Sequence, residues 1–189
     1  MLLKQNSVQD DHELQQFIEQ QSSEFQFYLV LLACSFSPSD DEPFVRAWIE
    51  VQLSRADKTD GTHPIAWSMK PKRTTTPIDF SNKLEVGGSL KFPLADVSTK
   101  GEENKTWSRE YIFIDALNEL HDHPIWQFSK TPLQELRGSH RLAMIVRSPI
   151  ESGTTASVGL SATVQRKRFG LIAYNAAFPE GKRKNFRFG

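Results

Sequence analysis

The strongest constraint on the fold is a two-residue alternation of apolar and polar side chains that begins near Phe25 and recurs along the chain. Residues 44–53 show it most clearly, and it returns at 84–92 and at 156–164. Successive side chains of a β-strand point to opposite faces of the sheet, so this period predicts strands with one buried and one solvated face. Shorter strand candidates lie at 64–70, 110–117, 124–129, 141–148 and 169–178. Together with an apolar run at 27–36 they bring the predicted total to about nine strands.

Residues 27–36, FYLVLLACSF, differ from the other strand candidates because they are apolar at almost every position. That pattern predicts a central strand covered on both faces. Long polar loops are predicted between the candidates, at 37–43, 54–63, 71–77 and 95–108. Together these features predict a mainly β protein, an antiparallel β-sandwich of about 7–10 strands with immunoglobulin-like or jelly-roll-like architecture. The pattern describes architecture only and names no family.

One amphipathic helix is predicted before the strands, at residues 10–22, DDHELQQFIEQQS. Its apolar residues Leu14, Phe17 and Ile18 follow the i, i+3, i+4 spacing of one narrow helical stripe. An isolated helix of this length is marginal in water, so we expect the stripe to dock on the body of the protein or on a partner.

The length of 189 residues suits one domain with appendages. We expect an N-terminal polar segment and helix at 1–24, a β-sandwich domain at 25–180, and a basic-aromatic tail at 181–189. Basic and acidic residues number 23 each, so the net charge is zero, which argues against a surface devoted to nucleic acid or membranes. The single cysteine excludes an internal disulfide framework and a multi-cysteine zinc site.

The apolar run at 27–36 is shorter than the roughly 18 residues that cross a bilayer, so no membrane insertion is expected. Leu31 to Cys34 resembles a lipoprotein cleavage box, which leaves lipidation as an alternative. A signal peptide places basic residues before its apolar run, whereas here Lys4 stands against five acidic residues. We therefore expect a cytoplasmic protein in which Cys34 is a small buried hydrophobic residue.

Charge is distributed unevenly along the chain. Residues 164–189 carry seven basic residues against Glu180, whereas residues 1–25 have a net charge of −4. Cations interleaved with aromatic rings can bind phosphates and stack bases, and they can equally attract an acidic protein. The candidate residues for either partner are Arg166, Lys167, Arg168, Lys182, Arg183, Lys184, Phe186 and Arg187.

Chemistry-bearing motifs are few. His121 and His123 are weak metal candidates: on a strand they would share a face, but a catalytic zinc needs three protein ligands and only two are visible. Polar residues before Pro124 are equally typical of a turn. The sequence contains no nucleophile elbow, phosphate loop or dinucleotide fingerprint. It therefore predicts no catalytic residue and no cofactor.

These observations favour a non-enzymatic binding or assembly module that joins a larger protein complex, with head-to-tail self-association as one version. Its partner contacts would be Leu14, Phe17 and Ile18 of the helix, together with Trp48, which falls on the polar face of its strand. Core packing is the other interpretation of Trp48. The alternatives are a nucleic-acid-binding protein that uses the basic C-terminal segment and a metal-assisted hydrolase at His121 and His123.

Overall fold

The computed structural model describes residues 20–57, 61–80, 107–168, 172–178 and 183–188, together with Gln16. These ranges contain ten strands. Their bounds are β1 Phe25–Phe36, β2 Phe44–Arg55, β3 Ile65–Lys70, β4 Arg73–Phe80, β5 Trp107–Leu117, β6 Ile125–Ser129, β7 Gly138–Pro149, β8 Thr154–Arg168, β9 Ile172–Phe178 and β10 Lys184–Phe188.

The strands form two antiparallel sheets that pack in a sandwich-like arrangement, which confirms the predicted mainly β class. The small sheet has the order β1-β7-β3, and the large sheet has the order β10-β8-β2-β6-β5-β4, with β9 also paired to β8. The longest pairings join distant parts of the chain. Phe25 lies opposite Pro149 in the small sheet, and Arg55 lies opposite Thr154 in the large one.

The alternation in the sequence decides which face of each strand is buried. In β2 the buried side chains are Ala47, Ile49, Val51 and Leu53. The residues between them project from the other face, because side chains alternate along a strand. The strands predicted at 44–53 and 156–164 are thereby confirmed as parts of β2 and β8.

An aromatic cluster joins the two sheets at the centre of the core. The ring of Phe128 on β6 lies 5.1 Å from that of Phe36 on β1 and 6.5 Å from that of Phe113 on β5. His140 on β7 contributes the fourth ring, at 5.2 Å from Phe128. Trp126 is also fully buried.

The prediction that residues 27–36 form a central strand is wrong. In the described part of the chain, β1 pairs only with β7 and forms an edge of the small sheet. Tyr28 and Phe36 face the main core, whereas Leu31 is 72% exposed. Both faces of β1 carry apolar side chains, because its outer face belongs to a second cluster. In that cluster Phe27 packs with Phe25, Leu29, Trp67 and Ile145.

Two strands lie where no strand was predicted. β4 occupies most of the segment expected to be a polar loop at 71–77, and its run of threonines suits a strand because β-branched side chains pack well on a pleated surface. β10 lies in the predicted C-terminal tail and pairs with β8, so that Lys184 faces Val158 and Phe188 faces Thr154.

Some predictions fall on residues that the structure does not describe. The strand predicted at 84–92 lies wholly outside the described residues, and most of the helix predicted at 10–22 does too. Within the described ranges, no helix has both the length and the apolar character needed to cross a bilayer.

Candidate functional site

An apolar groove opens where β1 lies over β8 and β10; we call it the β1–β10 groove. It consists of two adjoining depressions of about 300 and 410 Å³. Leu31, Leu32, Val158 and Phe186 line both depressions, and the larger one also contacts Leu160. The lining of the groove therefore comes from both sheets.

The groove stays open because of the way the strands divide the outer edge of β8. Residues Ala162–Arg168 of β8 pair with β9, and residues Thr154–Val158 pair with β10. Gly159, Leu160 and Ser161 lie between these pairings and have no outer strand partner in the described chain. The edge of β1 borders the other side of the groove, so two strand edges frame it.

Large apolar side chains remain exposed in the groove. Leu160 and Phe186 belong to the exposed large hydrophobic residues of the described chain, as does Leu31 at the rim of the groove, which lies on the same face of β1 as Phe27 and Leu29. Leu160 occupies an inward-facing register position opposite Ile49, yet it stays 38% exposed because none of the described strands covers it. Single exposed apolar residues are normal on protein surfaces, whereas several around one concavity mark an interaction site.

The β10 end of the groove anchors one wall to the core. The ring of Phe188 lies 5.0 Å from that of Tyr28, which ties β10 to β1 across the two sheets. Lys184 and Arg187 of the same strand line the groove. No aspartate or glutamate is present among its described lining residues, so the local field is positive.

Cys34 lines the larger depression as a neutral thiol. Burial raises the pKa of the Cys34 thiol from its ordinary 9.0 to about 11, and backbone hydrogen bonds at His140 and Cys34 offset part of that effect. The thiolate is the nucleophilic form, so at neutral pH Cys34 acts as an apolar lining residue.

This pKa predicts slow alkylation of Cys34. At pH 7 iodoacetamide should label the folded protein on the order of a hundredfold more slowly than the urea-unfolded chain, because about a hundredfold less thiolate is present. Labelling can be followed by intact mass, and the unfolded chain is the internal control since the sequence has one cysteine. Equal rates in the two states would show an activated or freely accessible thiol.

The predicted basic residues separate into two groups in the structure. Lys184, Phe186 and Arg187 lie together on β10 at the groove. Arg166 lies away from it, where its Nε donates to Glu42 Oε1 at 2.9 Å. Arg183 Nη2 lies 3.8 Å from Glu50 Oε2. Carboxylates therefore offset part of the positive charge that the sequence places in this segment.

The remaining predicted contact residues are only partly placed. Lys167 and Arg168 belong to β8 by their backbone, opposite Ala173 and Ile172 of β9. Outside the described residues lie Leu14, Phe17, Ile18 and Lys182.

Trp48 lies on the outer face of the large sheet and not in the groove. Its ring Nε1 donates to Gln127 Oε1 at 3.3 Å, across the β2–β6 pairing. The side chain is half-buried, whereas its neighbour Ile49 faces the core. Its assignment as a partner contact stays a prediction.

His121 and His123 lie in the bend between β5 and β6, so the strand geometry in which they would share a face does not apply. His123 Nδ1 lies 2.8 Å from Asp122 Oδ1. This hydrogen bond is the main reason that the pKa of Asp122 is lowered; burial opposes it, and the charges of His123 and His63 add to the lowering. Among the described residues, no three His, Cys, Asp or Glu side chains are grouped to hold a metal ion.

No protein-family model matches this sequence, and no curated protein is significantly similar to it. The assignment of the site therefore rests on its geometry.

Sequence reasoning missed Leu31 and Leu160 as surface residues. Both sit in apolar strand positions that normally face a core, and a sequence pattern does not distinguish an edge strand from a central one. The one available signal is the composition of β10, where Lys184, Phe186 and Arg187 combine positive charge with an aromatic ring.

Proposed function

We propose that this chain is a non-enzymatic binding and assembly module that joins a larger protein complex through the β1–β10 groove. The observation that carries the proposal is the coincidence, at one place, of exposed Leu31, Leu160 and Phe186 with two strand edges. Apolar and aromatic anchors in a desolvated centre, ringed by polar groups, are what protein interfaces use for affinity.

The strand edges supply the polar part of such an interface. An edge strand presents backbone N–H and C=O groups that another strand can pair with. Peptide recognition by strand addition combines these hydrogen bonds with pockets for alternate side chains. The edge of β1 and the adjacent apolar groove offer both features within one surface.

The non-enzymatic part of the proposal is supported by the chemistry of the groove. Acid–base and nucleophilic catalysis need a titratable group with a matched pKa, usually beside a second polar group. The ionisable groups that line the larger depression are Lys184 and the thiol of Cys34, whose pKa of about 11 keeps it neutral. Such a lining suits binding better than turnover.

The exposed group Lys184, Phe186 and Arg187 favours a second candidate, nucleic-acid binding at the same edge. A cation beside an aromatic ring can contact a phosphate and stack a base. Phosphate contacts would make the affinity fall steeply with salt, whereas an apolar protein interface depends on salt weakly. We rank this candidate second because Arg166 and Arg183 of the same basic segment lie beside Glu42 and Glu50.

At the level of architecture, we propose that the two packed antiparallel sheets form a sandwich of the immunoglobulin-like or jelly-roll-like kind. The face-to-face sheets and the core that joins them support this comparison, which concerns architecture and not ancestry.

A matched pair of variants tests the proposed function. Leu160 and Leu117 are equally exposed, at 38%, but only Leu160 lines the groove. The wild type, Leu160→Asp and Leu117→Asp would be used to capture partners from an extract of the source cells, with quantitative mass spectrometry and nuclease-treated parallels. We expect Leu160→Asp alone to lose its partner, by at least about tenfold, because a buried charge in the groove is costly.

Partner sets that are the same for all three proteins would overturn the groove as the binding surface. A partner that disappears only after nuclease treatment would transfer the proposal to nucleic acid. Equal thermal stability of the two variants is the check that the substitution acts on binding and not on folding.

A further inference from the structure

We propose that the occupant of the β1–β10 groove is a second copy of this chain. In this arrangement the β1 edges of the two copies pair antiparallel about a two-fold axis near Leu31. Their small sheets then merge into one continuous sheet, and the added strand lies across the mouth of each groove. This inference rests on the proposed function for the location of the site, and it adds the identity of the partner and the geometry of the contact.

The first support is that β1, an edge strand in the described part of the chain, lacks the charges, prolines and bulges that protect such edges. Proteins blunt exposed edges with charged residues, prolines, bulges or very short strands. β1 is 12 residues long and contains no charged residue and no proline. The opposite edge of the same sheet, β3, has 6 residues, an irregularity between Ala66 and Ser68, and Lys70 at its end. In the large sheet the edge strand β4 contains Pro77.

The second support is that β1 is compatible with itself. Like charges placed directly opposite each other destabilise a strand pair, and an uncharged strand meets no such penalty against its own copy. With Leu31 on the axis, Val30 of each copy lies opposite Leu32 of the other, so apolar residues meet throughout the centre. A two-fold contact of this kind is isologous and closes on itself.

Charge substitutions at Leu31 test the pairing in the full-length protein. Leu31 is 72% exposed, so Leu31→Lys and Leu31→Asp should fold, and Leu133, at 68% exposure, is the matched control site away from the groove. Sedimentation velocity over a concentration series should give the wild type and Leu133→Lys a mass twice the 21.5 kDa of one chain. Leu31→Lys alone and Leu31→Asp alone should dimerise at least about a hundredfold more weakly. A two-fold interface contains the substituted residue from both copies, so each apolar contact is lost twice.

An equimolar mixture of Leu31→Lys and Leu31→Asp gives the decisive result. Opposite charges then face each other at the axis, so the mixture should recover a heterodimer that weakens as salt rises. A wild type that stays monomeric at every concentration would overturn the second copy as the occupant. So would a dimer that both Leu31 variants leave intact.

These experiments distinguish failure of the proposed homodimer from failure of the groove as a binding site. A monomeric wild type whose captured partner is lost in Leu160→Asp overturns only the homodimer and keeps the groove as a binding site. A dimer that resists the Leu31 variants but is lost when residues 1–24 are removed indicates the head-to-tail contact of acidic N-terminus and basic C-terminus, and it overturns pairing through β1.

Discussion

Replacing Phe128 with alanine should lower the free energy of unfolding by about 3–5 kcal/mol, which is a large part of the roughly 5–15 kcal/mol available to a domain. Phe128 is fully buried and its ring contacts Phe36, Phe113 and His140. These neighbours come from three other strands in both sheets. The cavity left by the ring therefore weakens the packing of the two sheets against each other, and its effect is not confined to the strand that contains Phe128.

Urea denaturation followed by circular dichroism measures this loss. Leu133→Ala is the control, because Leu133 is mostly exposed and its truncation should change the free energy of unfolding by less than about 0.5 kcal/mol. A loss below about 1 kcal/mol for Phe128→Ala would contradict the packing of the sheets around this ring.

Replacing Thr154 with valine should destabilise the protein by about 1–3 kcal/mol, although the two side chains have nearly the same shape. Thr154 and Ser148 are buried where β7 passes into β8. The Thr154 hydroxyl donates to Ser148 Oγ at 2.6 Å, and Ser148 Oγ donates in turn to the carbonyl oxygen of Pro149 at 3.3 Å. Valine would leave the Ser148 hydroxyl buried without its donor.

The double variant Ser148→Ala with Thr154→Val separates the hydrogen bond from packing. Removal of both hydroxyl groups leaves neither hydroxyl without the other and takes a donor only from the Pro149 carbonyl oxygen, so its cost should be smaller than the sum of the two single costs. The double-mutant cycle, measured from urea midpoints and slopes, should give a coupling of about 0.5–3 kcal/mol. Strict additivity would show that the two hydroxyl groups do not interact.

Local pattern predicted the strands well where one face is wet and the other buried. Val51 and Leu53 alternate with polar neighbours, and this alternation alone places them in the core. The status of β1 as an edge was not predictable, because it depends on which strands pair with it, and its partner residues lie more than a hundred positions away. The β4 threonines lack apolar alternation, so the sequence pattern predicts a loop where the structure has a strand.

In the candidate site too, composition identified some residues, whereas contacts between residues far apart in the chain could not be predicted. Lys184, Phe186 and Arg187 could be selected from composition, and they do lie at the groove. The pairing of Arg166 with Glu42 joins residues separated by 124 positions, so the sequence overstated the free positive charge of that segment. Leu160 is a surface residue because no described strand lies over it, and it sits where β9 and β10 leave a gap along β8; both are properties of topology.

The pairing of β1 with β7 has a consequence for synthesis of the protein. Phe36 finds its strand partner at Gly138 and Phe25 at Pro149, so most of the chain must leave the ribosome before β1 can pair. During that interval a nascent chain carries an uncharged apolar strand with no sheet to join, and such strands aggregate readily. Closure across so many residues is also slow. Fragments that stop before β7 should therefore depend on chaperones far more than the complete chain does.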